Sequence, residues 1–297
     1  MTTVTGPIPY RIPKRRGPVL TFIVQQPLGA IGLVAIVAMV LASVFAEVVA
    51  PYDPLEVNYA AILAAPSADY WFGTDAFGRD ILSRVIYGAR TALAVGVLSS
   101  LIGCVLGTLL GTASAYFGST TDLVIQRFVD IMLAFPIVVL ALVVVAALGK
   151  NVIGGIDVNL IIAISIPIVP KVARVARSAA LSVRQMPYID AARAAGFSHS
   201  RIVMRHMIPN IMAPVLILFT AFIAQAILLE ASLSFLGLGV TEPTAAWGLM
   251  LSGNSADFYE QAPWVIIFPG LAISFAVFAF NLFGDSLRDW LDPKLKI

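Results

Sequence analysis

YIDAARAAGFSHSRIVMRHMIP, residues Tyr188 to Pro209, is a polar and basic island between two long apolar runs. Arg193, His199, Arg201, Arg205 and His206 would each cost up to about 2.5 to 3.5 kcal/mol near a bilayer centre, so the island must lie in water while its flanks enter lipid. Its local grammar is that of a short helix, a corner and a second helix feeding a span. Asp190-Ala191-Ala192-Arg193-Ala194-Ala195 is strongly helix-forming, and Gly196 suits the left-handed stop at its end. Ser198 can cap the second helix, and Ile208-Pro209 predicts the next change of direction.

The rest of the chain is consistent with such an arrangement. Of 297 residues, 59% are hydrophobic and only 12% charged, where a soluble domain carries about 25% charge. Mean hydropathy is +0.92. These values predict an all-α polytopic membrane protein. The lone cysteine, Cys104, excludes an intrachain disulfide and reads as a buried thiol. No cleavable signal peptide is expected, because the first apolar run is too long and lacks a small-residue cleavage site.

Working outward from the island, the fifth span is expected at about Asn210 to Ser234, containing Pro214, Gln225 and Glu230. An acid near the end of a span is a candidate pathway or gating group, or else a structural pair, and Gln225 stands beside it. The sixth span is expected at Trp264 to Gly284, with a tail over 286–297. Toward the N-terminus, a fourth span starts near Leu160 and emerges into a stripe of Lys171, Arg174, Arg177 and Arg184, roughly on one helical face. It either meets headgroups or extends below the membrane to hold the island. A third span, Val129 to Leu148, contains Pro136 as a kink. The second, Thr91 to Tyr116, has Gly103, Gly107 and Gly111 on one face, a ladder for close helix packing, with an intrachain partner favoured over a dimer. A first span covers 28–50, preceded by a polar, Pro-rich tail over 1–27. Between the first two spans, 51–90 reads as an external loop ending in an interfacial helix, and 91–285 as the core, with the cytoplasmic loop at 184–209.

Charge sets the orientation. Of the 19 Lys and Arg, 15 fall on the side of the island and four, Arg79, Arg84, Arg90 and Lys150, on the other. With the six spans read from the apolar runs, the positive-inside rule then predicts both termini cytoplasmic and the island inside.

The island's acidic-Ala-Ala, three residues, Gly, and a later aliphatic-Pro pair resemble the EAA motif of the membrane subunits of ABC importers. Asp190 stands where the motif usually has Glu, and Ile208 where it usually has Leu. Two further stretches, WFGTDAFGRDILSRVIYGAR (Trp71 to Arg90) and Glu230 to Val240 followed by Trp247-Gly248, are similar to the dipeptide/oligopeptide/nickel class, particularly its second membrane subunit. The resemblance covers nearly the whole chain from Pro51. It implies a type I importer permease fold in a bacterial cytoplasmic membrane. It also implies a second homologous permease, two ABC ATPase subunits and an extracytoplasmic substrate-binding protein. Tyr188, Ile189, Asp190, Ala191, Ala192, Arg193, Gly196, Ile208 and Pro209 would form the ATPase-coupling segment. Ile189, Ala192 and Gly196, at steps of three and four, would offer the face that enters the ATPase groove, while Asp190 and Arg193 pair or touch the partner.

Other chemistries lack their residues. No G-x-x-x-x-G-K-[ST] loop is present, so ATP and Mg would sit on partner chains and no cofactor is expected on this one. His199 and His206 have no Cys or acidic companion that would make a metal site. Nucleic-acid binding has no support beyond a stripe that the membrane explains. An ion-coupled secondary transporter is the runner-up, resting on Glu230 alone; a membrane scaffold gives no reason for the island.

Overall fold

The computed structural model describes residues 18–153, 155–253 and 258–291. The N-terminal part consists of α1 (Pro18–Gln25), α2 (Pro27–Val44) and α3 (Ala46–Val49). Next come α4 (Ile81–Phe117), α5 (Ser119–Leu133), α6 (Ile137–Leu148), a hairpin of β1 (Val152–Ile153) and β2 (Ile156–Asp157), α7 (Val158–Ser165) and α8 (Ile168–Arg184). The island contributes α9 (Pro187–Ala194) and α10 (His199–Ile202), and α11 (Met212–Phe235), α12 (Trp247–Met250) and α13 (Trp264–Leu291) complete the order.

Among the described residues, four helical runs are long and apolar enough to cross a bilayer: Pro27–Val44, Ile81–Phe117, His199–Phe235 and Trp264–Leu291. Two bent pairs, α5 with α6 and α7 with α8, would bring the number to six if each is one span. The α5–α6 bend of 94° is far sharper than the expected kink in a single span at 129–148. Pro136 supplies no N–H and disfavours helix at Phe135, so α5 ends early, and the polar link expected before the span is itself the start of α5. The α7–α8 bend of 42° falls at Pro167 by the same chemistry.

Other boundaries move too. No breaker separates the expected interfacial helix from the second span, so 81–117 is one 37-residue helix, about 55 Å long at 1.5 Å per residue. Within the expected 1–27 tail, α1 is helical, and Phe22 packs edge-on to Phe283 and Trp290. Residues 1–17, with Arg11, Lys14, Arg15 and Arg16, and residues 292–297, with Lys294 and Lys296, lie outside the described residues. The first span breaks at Phe45, between α2 and α3. Helix α13 runs seven residues past Gly284 into the expected tail.

Small residues bring the helices together. A Cβ on Gly103 would lie 2.7 Å from Ile168, on Gly107 2.6 Å from Val172, and on Gly111 2.2 Å from the Ala173 carbonyl oxygen. The glycine ladder therefore seats α8 on α4 within the chain. The basic stripe finds partners within the chain, two of them acids. Arg177 grips Asp122 of α5 through two hydrogen bonds of 2.6 and 2.5 Å, Arg174 pairs with Asp130 at 2.5 Å, and Arg184 donates to the Ala115 carbonyl at 2.8 Å. Lys171 reaches Gln225 at 3.5 Å.

At the far end of α4, Asp80 caps the helix by accepting from the Ser83 N–H at 2.7 Å. The preceding loop is pinned by a charge cluster in which Asp75, Arg79 and Arg84 are buried and Glu242 is half-exposed. Arg79 pairs with Asp75 at 2.7 Å and with Glu242 at 2.8 Å. Burial disfavours the Arg79 charge, but its hydrogen bond to Glu242 and the field of Asp75 outweigh that and raise its pKa. Trp247, singled out in the sequence, donates to the Val85 carbonyl at 2.9 Å and ties α12 to the same end.

Candidate functional site

The island folds as its local signals dictate. Pro187 opens α9 at a position where its missing N–H is harmless, Asp190 lies in the first turn and Arg193 in the last, each complementing the helix dipole. The two pair at 3.2 Å. Gly196 adopts φ +75°, and the Phe197 N–H reaches the Ala192 carbonyl at 3.1 Å while the Gly196 N–H reaches Arg193 at 2.9 Å. This is the Schellman arrangement, with glycine at the left-handed position. A Cβ at Gly196 would meet nothing within 4 Å, so its requirement is conformational rather than steric. Ser198 then caps α10 through the Arg201 N–H at 3.4 Å.

Pro209 does not turn the chain. The helical run continues from His199 to Phe235 through a π turn at Val203–Met207 and a 3-10 turn at Ile208–Ile211 that holds Pro209. The widened turn lets a helix absorb a residue with no N–H, and so a single rod joins the elbow to the expected fifth span.

The face formed by Ile189 and Ala192 is not available to a partner. Ile189 is fully buried and Ala192 nearly so, packed with Ala115 and Tyr116 of α4, Ala176 and Ala180 of α8, and Ile202, Met207 and Ile211 beyond the corner. These apolar residues bolt α9 to the ends of three long helices. Gly196, expected on the same face, is exposed. The outward surface of α9 is instead Tyr188, Ala191 and Ala195, at steps of three and four, flanked by Asp190 and Arg193. Tyr188 is 42% exposed, and the two alanines leave a shallow surface beside it.

Polar contacts brace the corner. The Tyr116 hydroxyl lies 2.7 Å from His199 Nδ1, the Arg193 guanidinium sits 5.3 Å from the centre of the Tyr116 ring, and Arg201 stacks 4.0 Å from that of Phe197. His206 stacks on Phe197 at 5.8 Å. Both histidines thus hold aromatic partners, and no group of three or more metal-ligating side chains occurs among the described residues. Sequence reasoning missed Tyr116 and Asp122 as parts of this site. Both are more than fifty residues from their partners, and no local pattern announces such pairs.

Glu230 and Gln225 do not join the elbow, nor each other. Five residues apart on α11, they differ by about 140° around the helix. Glu230 is fully buried, with Oε1 accepting from the Ser234 hydroxyl at 2.8 Å. Ser234 also accepts from the Val240 N–H at 3.1 Å, so the carboxylate anchors the turn that leaves α11. Gln225 is half-buried and faces Lys171.

Known proteins share this architecture. Residues 103–297 match the family model described as binding-protein-dependent transport system inner membrane component, and residues 23–66 match the N-terminal TM domain of oligopeptide transport permease C. The dipeptide transport system permease protein DppC of Alkalihalophilus pseudofirmus is 43% identical over 272 residues, 92% of this chain and 88% of that protein. The glutathione transport system permease protein GsiD of Escherichia coli is 41% identical over 273 residues, with the same coverage of 92% and 88%. Among solved structures, a chain of the MetNI methionine ABC transporter in an inward facing conformation superposes with a TM-score of 0.53 at 17% identity. It covers 71% of this chain and 98% of its own. That likeness speaks for the fold, which is the type I importer permease fold.

Proposed function

The chain belongs to the family of binding-protein-dependent transport system inner membrane components, and from that membership we propose that it forms half of a translocation pathway driven by ATP hydrolysis on other subunits. It is a permease subunit of the peptide class of ABC importers. The solute is a dipeptide, an oligopeptide or a related solute such as a nickel complex; relatives named for dipeptide and glutathione transport favour a short peptide. A second homologous permease supplies the other half. Two ABC ATPase subunits hold ATP and Mg, and a binding protein delivers the solute from outside. The setting is a bacterial cytoplasmic membrane, with both termini and the elbow inside, a reading supported by the bias of Lys and Arg toward the elbow's side.

One observation carries the mechanical part: α9 has one face fixed in the chain's own core and the other bare. When the ATPases close, a push on Tyr188, Ala191 and Ala195 passes through Ile189 and Ala192 into α4, α8 and the 199–235 rod without loss in a flexible joint. Arg177 and Asp122 carry the displacement on to α5. Packed helices move as rigid bodies, which suits alternating exposure of the pathway. The ion-coupled alternative rests on Glu230, whose Oε1 holds Ser234 and whose Oε2 has no partner among the described residues; membership of the binding-protein-dependent family is what favours the ATP-driven reading over it.

Reconstitution tests the reading. The chain, co-purified with the second permease and both ATPases in liposomes, is expected to accumulate a labelled dipeptide only with external binding protein and internal ATP. Uptake driven by a proton or sodium gradient without ATP would contradict it.

A further inference from the structure

At the end of α4 remote from the elbow, a cavity of about 180 Å³ lies between the charge cluster and an apolar wall that includes Leu249, Met250 and Val265. We infer that this cavity is a receptor for a small monocarboxylate bearing an apolar group, such as the C-terminal residue of a short peptide, which takes the place that Glu242 now occupies. The choice of solute rests on the peptide-importer reading; the carboxylate chemistry does not.

Three observations converge. The Arg84 side chain is 1% exposed and lines the cavity; its Nη1 donates to the Pro54 carbonyl at 3.1 Å, but its Nε donates to none of the described residues, with Asp75 Oδ2 too far at 3.8 Å. A buried guanidinium with a free N–H is uncommon and marks a place where an acceptor is missing. Glu242 fits poorly as that acceptor. It meets Arg79 at 2.8 Å but Arg84 only at 3.5 Å, and its side chain remains 48% exposed. Charge then selects the ligand. Two guanidiniums face two carboxylates, Asp75 and Glu242, so exchanging Glu242 for another monoanion keeps the balance, whereas a cation or dianion would leave a buried charge unpaired. The volume has room for the end residue of a peptide, and the apolar wall lies where its side chain would rest.

Calorimetry on the full chain in lipid nanodiscs tests this with N-acetyl-leucine, its amide N-acetyl-leucinamide, and acetate as probes. The acid should bind, the amide should not, and acetate should bind at least about tenfold more weakly, because it lacks the apolar group. Glu242→Gln removes the internal competitor and should tighten N-acetyl-leucine roughly tenfold, as expected when the binding-competent fraction rises. Leu249→Trp fills the cavity and should abolish binding with the melting midpoint unchanged. Equal binding of acid and amide, or an affinity that Glu242→Gln leaves unaltered or weakens, overturns the receptor; acetate binding as tightly as the acid overturns the solute assignment. Failure of peptide uptake by the assembled importer, with N-acetyl-leucine still bound by Glu242→Gln, would tell against the peptide reading alone.

Discussion

Gly196→Val is expected to uncouple the importer, lowering binding-protein-stimulated ATPase activity of the assembled complex by roughly tenfold while the chain remains in the membrane, because only the local left-handed stop is lost. At φ +75° a β-branched residue is strained, by about 1 to 2 kcal/mol or more, and the cheapest relief is to unwind the last turn of α9. That turn holds Arg193, positions Ala195 just after it, and accepts the two N–H groups of the corner. Since a Cβ at this position meets nothing, bulk is not the issue. Gly196→Asn, which tolerates the same conformation, should therefore stay within about twofold of the parent. Equal losses for both substitutions would show that the corner's geometry is not what matters.

Gly111→Leu should have the largest effect on stability. Its Cβ would lie 2.2 Å from the Ala173 carbonyl oxygen and 2.9 Å from the Arg177 nitrogen, both backbone atoms that no rotamer change can move aside. Helix α8 must retreat from α4, and the Arg177–Asp122 pair is pulled with it. Overpacking of this kind costs about 1 to 3 kcal/mol, with a backbone clash at the upper end. A thermal midpoint in detergent lower by roughly 5 °C is the expected reading for a chain of this length. Gly270→Leu on α13, where a Cβ would meet nothing, is the matched control and should leave the midpoint in place.

What the sequence made legible was local. The stop at Gly196, the cap at Ser198 and the close-packing ladder of Gly103, Gly107 and Gly111 each follow from a few adjacent or helically spaced residues, and the structure has all three. Pro136 announced a disturbance but not its size, because whether a proline kinks a helix or ends it depends on what the freed carbonyls and the following segment pack against. The face of α9 was misjudged for a related reason. Periodicity establishes that Ile189 and Ala192 share an apolar side, but not whether the chain itself or a partner covers it; here Tyr116, Ala176 and Ala180 do. The pairing of Arg177 with Asp122, and of Arg79 with Glu242, joins residues 55 and 163 positions apart, which no spacing rule reaches. The resemblance to importer permeases was legible because its motifs are short, contiguous stretches, and the relatives bear it out across most of the chain.

The ATPase is expected to meet the bare face of α9 while the opposite face stays locked in this chain. A photo-crosslinking residue placed singly at Ala191 or at Ile189 in the assembled importer measures it directly. Position 191 should give an adduct with an ATPase subunit, and position 189 only adducts within the chain. An adduct from 191 to the external binding protein, or an ATPase adduct from 189 but not from 191, would contradict it.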